Sequence, residues 1–436
     1  MLNLVLSSAL VLLPFPATTQ TTQRSPVEVS DQIEPGLRAA DSLVASWVES
    51  QQVPGAVLVV SSGGEVVLER AYGSVQSHDY GGGQYSGSSR SGSQSGGIRP
   101  VAAPSPVTSE TVFDLASVTK VMATTFAVML SVDRGELDVD APVHTYLPDF
   151  RGREKDAITL RHLLTHRAGL HQWKPIYYHA TNPDEAYAYI RDLPLAWGVG
   201  EGRHYSDLGF MLLGRVVERT VGMSLDVLLR ERLYEPLGLL ATGYRPTQGR
   251  SPGSGVAQGA RPVAATSHGN PYEYRMVHDS TFGYVYDGDP NAWNGWRRYT
   301  LAGEVNDGNA FHPFGGVAGH AGLYSTAGEL RILTQLLLDR GEYGGRRYLR
   351  AEVVDAFLAP SGDGQALGWQ IPDNAPPASF AHTGFTGTFV LGASGEGLGV
   401  VLLTNRQNKG TDRRGYYPDL GPLQSALTAA LVGPTR

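Results

Sequence analysis

The 436 residues carry 42 acidic and 35 basic side chains, a formal charge of -7, and no cysteine. With no basic run, that balance argues against nucleic acid or an anionic membrane surface as a partner. The missing cysteines exclude disulfides, thiolate zinc sites, thiol catalysis and a lipid-modified N-terminal cysteine.

The length allows two domains or one large one. The chain opens on an apolar run, Leu4 to Leu13, followed by Pro14 and Pro16. The run is too short to span a bilayer and fits the core of a secretory signal over residues 1–19, although no charged residue precedes it. A secreted or periplasmic protein without an integral membrane segment is therefore expected. Leu37, Leu43, Val44, Trp47 and Val48 give Ile33 to Gln52 the period of an amphipathic helix. Two strand-like runs, Val53 to Val60 and Glu65 to Gly73, flank Ser61-Ser-Gly-Gly and read as a hairpin. Residues 77–106 are rich in Gly, Ser and Gln and bury too little apolar surface to offset the entropy of ordering, so a flexible insertion is expected.

From Leu115 to Val132 the only charged side chain is Lys120, in a sequence that otherwise reads as a buried helix. A core helix holds an ammonium only if the group is paired or gives up its proton. Ser117 stands three residues earlier and so shares a helix face with it. A desolvated lysine can take the proton of a serine hydroxyl, and the helix N-terminus favours the resulting oxyanion. The spacing alone is a weak signal, and a lysine snorkelling from the core edge also fits it; burial is what singles out the pair.

Gly135 ends that helix. Ile158 to Leu170 reads as a short helix capped by Thr159 and ended by Gly169. Its histidines, His162 and His166, with His171 beyond, lack the glutamate that a hydrolytic zinc helix needs, so no metal is expected. Tyr205 stands just before a helix from Leu208 to Arg219 with Ser206 or Asp207 as its cap, and Leu225 to Leu233 gives another. Residues 246–262 are rich in Gly, Pro and Ser, and the aromatic-rich stretch to Thr300 reads as a long excursion that walls a cleft. The glycine-rich run Phe314 to Thr326 lacks the lysine of a phosphate loop and reads as close backbone packing. Thr326 and Glu329 form a capping box for a helix through Leu338.

Strands are expected at Leu367–Ile371, Ser379–Gly384, Thr388–Gly392 and Gly399–Asn405, with a last helix from about Leu420 to Leu431. Strands at both ends with helices between predict an α+β fold. An antiparallel sheet flanked by helices would come from residues 33–124 and 306–432, with a mainly helical domain of residues 125–305 inserted and a site between them.

Three motifs follow one another in order: Ser117-x-x-Lys120, Tyr205-Ser206-Asp207 and His382-Thr383-Gly384. With the phrases Leu160-Arg-His-Leu-Leu-Thr-His-Arg-Ala-Gly-Leu and Gly319-His-Ala-Gly-Leu-Tyr-Ser-Thr, the chain from about Val53 to Asn405 resembles the serine β-lactamase and penicillin-binding-protein superfamily. Its nearest branch is the class C β-lactamase-like one, which includes DD-peptidases, D-aminopeptidases and esterases. The resemblance implies that Ser117 is the acylated nucleophile, that Lys120 and Tyr205 share the general-base role, and that no metal or cofactor takes part. It also implies a β-lactamase/transpeptidase-like fold, an oxyanion hole from the amides of Ser117 and Phe385, and substrate binding along His382, Thr383 and Gly384 with Asp207 nearby.

Two positions depart from the family pattern. His382 replaces a frequent lysine and, being mostly neutral, binds a substrate carboxylate less firmly. Asp207 replaces a frequent asparagine and, when ionised, cannot donate a hydrogen bond. Each residue also has a structural reading: Tyr205 as a packed aromatic, Asp207 as a helix cap, His382 as a strand residue. The Gly-x-Ser-x-Gly match Gly249-Arg-Ser-Pro-Gly falls in the Gly/Pro/Ser-rich stretch and does not read as a strand-to-helix turn, so an α/β-hydrolase serine is not supported. The expected function is a serine hydrolase acting through an acyl-enzyme on D-amino-acid-containing peptides, with peptidoglycan as a candidate partner, or on small esters. The alternatives are a β-lactamase and a non-catalytic cell-wall binding protein.

Overall fold

A computed structural model describes residues 26–80, 97–152, 154–245, 261–373, 375–376 and 378–432. The signal expected at residues 1–19 and the middle of the Gly/Ser tract lie outside the described residues. No helix among the described residues is long and apolar enough to cross a membrane.

Five strands build the central sheet: β1 (Gly55–Ser62), β2 (Glu65–Gly73), β3 (Ser379–Gly384), β4 (Thr388–Ala393) and β5 (Leu398–Thr404). Their order is β3-β4-β5-β1-β2, every neighbour antiparallel. The expected hairpin is β1–β2. β1 also pairs with β5 from Ala56↔Thr404 to Ser62↔Leu398, which joins the two ends of the chain in one layer.

All of β1 is buried, because both faces of the sheet are covered. The period of two sends Ala56, Leu58 and Val60 into one cluster with Leu37, Ala40 and Val44 of α1 (Pro26–Glu49) and with Leu423 and Leu427 of the last helix. Val57 and Val59 point the other way, into the larger core that holds most of the remaining helices. Those helices are α2 (Phe126–Asp133), α3 (Leu160–Leu164), α4 (Pro183–Asp192), α5 (Asp207–Val221), α6 (Leu225–Leu229), α7 (Pro271–His278), α8 (Gly308–Phe311), α9 (Ala327–Leu338) and α10 (Ala351–Leu358). The chain closes on α11 (Gly421–Val432). The α+β class expected from the sequence holds.

Three local expectations are corrected. Leu367–Ile371 is not a strand; only Gln370 bridges to Ala381 on the outer edge of β3. Thr326 does cap α9, accepting from the amide of Glu329 at 3.2 Å, but the Glu329 side chain leaves the box to accept from the amides of Leu240 and Ala241 and from the Thr242 hydroxyl. The ends of the Gly/Ser tract are ordered: His78–Tyr80 pairs with Ile98–Pro100, and the Asn408 side chain accepts from the amides of Ser77 and His78. The glycine-rich run packs closely as expected, since a Cβ at Gly319 would lie 2.0 Å from the Phe210 carbonyl of α5.

Candidate active site

Ser117 sits in a turn between the short strand Phe113–Asp114 and the wide helical turns Lys120–Thr125 that lead into α2. Ala116, just before it, has φ 44°, a conformation that costs a non-glycine residue energy and needs support. Support is present. Asp114 accepts from the Ala116 amide at 2.9 Å, and the Ala116 carbonyl accepts from the Thr119 amide at 3.0 Å. Because the Ala116–Ser117 peptide is planar, that carbonyl turns the Ser117 N–H the opposite way, out of the helix.

Lys120 is fully buried. Its Nζ donates to Ser117 Oγ at 2.9 Å and to the His320 carbonyl at 3.1 Å, and lies 2.7 Å from Asp207 Oδ1. Burial pushes the ammonium down, but the carboxylate of Asp207 and the phenol of Tyr205 outweigh it and hold Lys120 above its ordinary value. The sequence argument expected burial to free a base; in the resting site the carboxylate keeps the lysine charged.

Tyr205 enters from the residue pair ahead of α5, where Ser206 is the cap and accepts from the Gly209 amide at 3.2 Å. Its ring centroid is 5.0 Å from Lys120 Nζ, and its hydroxyl interacts with both Ser117 and Lys120. Burial raises the phenol, against the pull of Lys120. The His166 ring packs on Tyr205 at 4.4 Å, its Nδ1 accepting from the Ser206 amide.

The third motif runs along β3, an edge strand. Ala381 exchanges both main-chain bonds with Gln370, so alternation leaves the main chain of Thr383 facing the cleft. After Gly384 the chain turns, and the Gly384 carbonyl accepts from the Gly387 amide at 2.9 Å, which aims the Phe385 N–H away from the turn. Arg406 pins that turn by donating to the Phe385 carbonyl from Nε at 2.9 Å and from Nη2 at 2.6 Å. Thr386 and Thr388 donate to the carbonyls of Asp114 and Leu115, tying it to the nucleophile segment. Among the described residues neither the Ser117 nor the Phe385 amide is used in another hydrogen bond.

Two hollows meet at Ser117 and Tyr205. One, about 330 Å³, is bordered by Thr383, Gly384, Phe385 and Arg406. The other, about 270 Å³, is bordered by Trp173, Tyr272, Glu273, Tyr284 and Asp307.

A β-lactamase family model matches residues 40–420. The chain belongs to the β-lactamase family. It is 33% identical over 400 residues to an N-acetylmuramyl-L-alanine amidase of Bacillus subtilis, covering 85% of this chain and 81% of that one. It is 30% identical over 391 residues to a protein of Escherichia coli provisionally named a D-alanyl-D-alanine carboxypeptidase, covering 83% and 81%. A penicillin-binding-protein homologue from Caulobacter crescentus superposes with a TM-score of 0.62 at 19% identity over 91% of this chain and 96% of that one.

Of the residues expected from sequence, this β-lactamase-family fold brings Ser117, Lys120, Tyr205, Asp207, Thr383, Gly384 and Phe385 together. Three expectations change. His382 is 1% exposed and borders neither hollow. Burial, then the charge of Lys120, holds its ring down to about 3, and Nδ1 donates to the Thr383 carbonyl, so it is a neutral residue behind the cleft rather than a seat for substrate. Asp207 pairs with Lys120 instead of facing substrate alone. Gly384 is small for a different reason than expected: a Cβ there would lie 2.1 Å from Thr388 Oγ1 and 2.4 Å from the Leu115 carbonyl, so it lets β3 close on the nucleophile segment. Of the three histidines, His162 closes the cap of α3.

Sequence reasoning missed Glu273, Asp307, His320 and Arg406. Only His320, within the Gly319-His-Ala-Gly phrase, carried a signal. The others depend on contacts between segments far apart in the chain.

Proposed function

We propose that this chain is a serine hydrolase that acts through an acyl-enzyme on Ser117. Its substrates would be amides of D-amino-acid-containing cell-wall peptides, of the DD-carboxypeptidase or D-peptidase type, or small esters. The observation that carries the reading is the 2.9 Å contact between Lys120 Nζ and Ser117 Oγ, in front of two uncommitted backbone amides.

In this reading Lys120 first releases its proton, and Ser117 Oγ then attacks the substrate carbonyl carbon while its own proton passes to the deprotonated Lys120–Tyr205 pair. The oxyanion is held by the amides of Ser117 and Phe385. Collapse expels the leaving group, with Tyr205 placed to return the proton, and water then releases the acyl group. The outward-facing main chain of Thr383, whose carbonyl also accepts from His382 Nδ1, would pair with the substrate backbone as an added strand. Relatives named amidase and carboxypeptidase support amide substrates. Export to the periplasm or cell exterior belongs to the same reading.

A fluorophosphonate probe tests it. Covalent labelling of the wild type that vanishes in Ser117→Ala supports the acyl-enzyme, and a folded wild type that resists fluorophosphonate and penicillin alike favours the non-catalytic binding protein. Turnover of a chromogenic cephalosporin would promote the β-lactamase alternative over the peptidase.

A further inference from the structure

His166 stands where α3 ends. Its φ of 56° is left-handed, the conformation in which many helices stop and which glycine adopts at least cost, and the Arg167 amide closes the helix end on the His162 carbonyl at 2.8 Å. A glycine would end α3 as well, so the imidazole has to be explained by what it touches. Three contacts converge on one neighbour. The His166 carbonyl accepts from the His204 amide at 2.8 Å and Nδ1 accepts from the Ser206 amide at 3.0 Å, so main chain and side chain together hold the residues on either side of Tyr205. The His166 ring also lies against the Tyr205 ring, with centroids 4.4 Å apart and planes tilted by 34°. His166 is 2% exposed and packs on Phe210 as well.

Two further bonds carry the grip past Tyr205. Ser206 Oγ donates to the His171 carbonyl at 2.7 Å and the Asp207 amide donates to the Gln172 carbonyl at 2.9 Å, so residues 166–172 bracket the chain on its way into α5. A phenol that drifts by about 1 Å from Ser117 and Lys120 no longer relays a proton well, which gives the bracket a chemical consequence. The bond from the Ser206 amide also fixes the tautomer. With its Nδ1 lone pair engaged, the neutral ring carries its proton on Nε2. Burial, then the charge of Lys120 with Arg203 and His382, holds His166 well below its ordinary value, so the acceptor is retained.

We propose that His166 is a positioning residue for the reaction, holding Tyr205 from both flanks and from one face so that the phenol meets Ser117 and Lys120. His166 borders neither hollow, so it acts through Tyr205 and not on substrate. The proposal deepens the acyl-enzyme reading and rests on it for its rate test.

The test reads kinact and KI of a fluorophosphonate on wild type, His166→Gly and His166→Asn. Both replacements accept the left-handed backbone, but only asparagine offers an acceptor, its Oδ1, where Nδ1 stands. His166→Gly should lose about a hundredfold in kinact with KI nearly unchanged, the scale of a displacement of about 1 Å at a reacting group. His166→Asn should recover about tenfold of that loss, the missing ring contact keeping it short of wild type. Equal losses in the two variants, or a loss confined to KI, overturn the proposal. In Tyr205→Phe protein, His166→Gly should cost less than about threefold, because no phenol is left to place. The full loss in that background would mark a general structural role and overturn the proposal too. Another measurement needs no variant. Nitrogen NMR of histidine-labelled full-length protein should show the His166 proton on Nε2 and a bare Nδ1 from about pH 6 to about pH 9. A proton on Nδ1 in that range overturns the clamp even if both variants fail to fold. A wild type that resists the probe, or labelling that persists in Ser117→Ala, sinks the acyl-enzyme reading instead, with the tautomer still deciding how Tyr205 is held.

Discussion

Replacing Asp207 by asparagine removes the charge that holds Lys120 protonated while keeping the shape of the side chain. At 2.7 Å and an effective dielectric of about 20, the attraction between the two groups is roughly 6 kcal/mol before desolvation is subtracted. At about 1.4 kcal/mol per pH unit, a net loss of half that amount lowers the lysine by roughly 2 units. The assay is the second-order rate of fluorophosphonate inactivation from pH 5.5 to pH 11. In the wild type the rate should climb with pH through the whole neutral range, because only deprotonated lysine accepts the Ser117 proton. In Asp207→Asn the climb should level off about 2 units earlier, and at pH 8 the variant should react roughly tenfold faster, a weaker base giving back part of the gain. The same pair bears on stability. Lys120 is raised in the folded state, so its contribution is complete below the unfolded value of about 10.4 and is lost as pH rises through the folded value. A variant that melts normally but keeps the wild-type pH profile would refute the assignment of Lys120 as proton acceptor.

Three further outcomes are expected. Gly384→Ala should lower stability by about 1–3 kcal/mol in denaturant melts and abolish labelling, because its Cβ has no room against Thr388 and Leu115; an active, stable variant contradicts that packing. Arg406→Lys should reduce kcat by about tenfold with little change in KM, since one ammonium cannot reproduce the paired bonds to the Phe385 carbonyl that aim the oxyanion amide; a change confined to KM would point to substrate contact instead. The His382 ring, held down to about 3, should show no NMR titration between pH 5 and pH 8. Its depressed value means stability is present above about 6.5 and declines as pH falls toward 3, so His382→Gln should reduce acid sensitivity in thermal melts.

Much of the fold is legible locally. The β1–β2 hairpin needs only alternation and two glycines, and α5 needs only Ser206 before its apolar stripe and Gly222 after it. Lys120 stands out because a single charge in an apolar helix demands a partner, and Ser117 is close enough in sequence to be found. The partner that sets its protonation, Asp207, is 87 positions away, and nothing in the chain tells that its carboxylate faces the lysine and not the substrate. Leu367–Ile371 has strand composition but lies where Gln370 alone touches β3, so tertiary placement overrides propensity. Glu273 comes from an excursion whose weak periodicity hides α7, Asp307 lies beyond it at the start of α8, and the two meet only where Gly308 closes on Glu273.

The Gln370 bridge also bears on the length of chain the cleft can read. By taking both main-chain groups of Ala381, it interrupts the rim of the sheet as a continuous template, and a visitor is left with Thr383, whose carbonyl is shared with His382. A long extended polypeptide gains little from so brief a foothold, whereas a compact end group loses nothing. The same plug shortens the stretch of rim along which any other strand could pair.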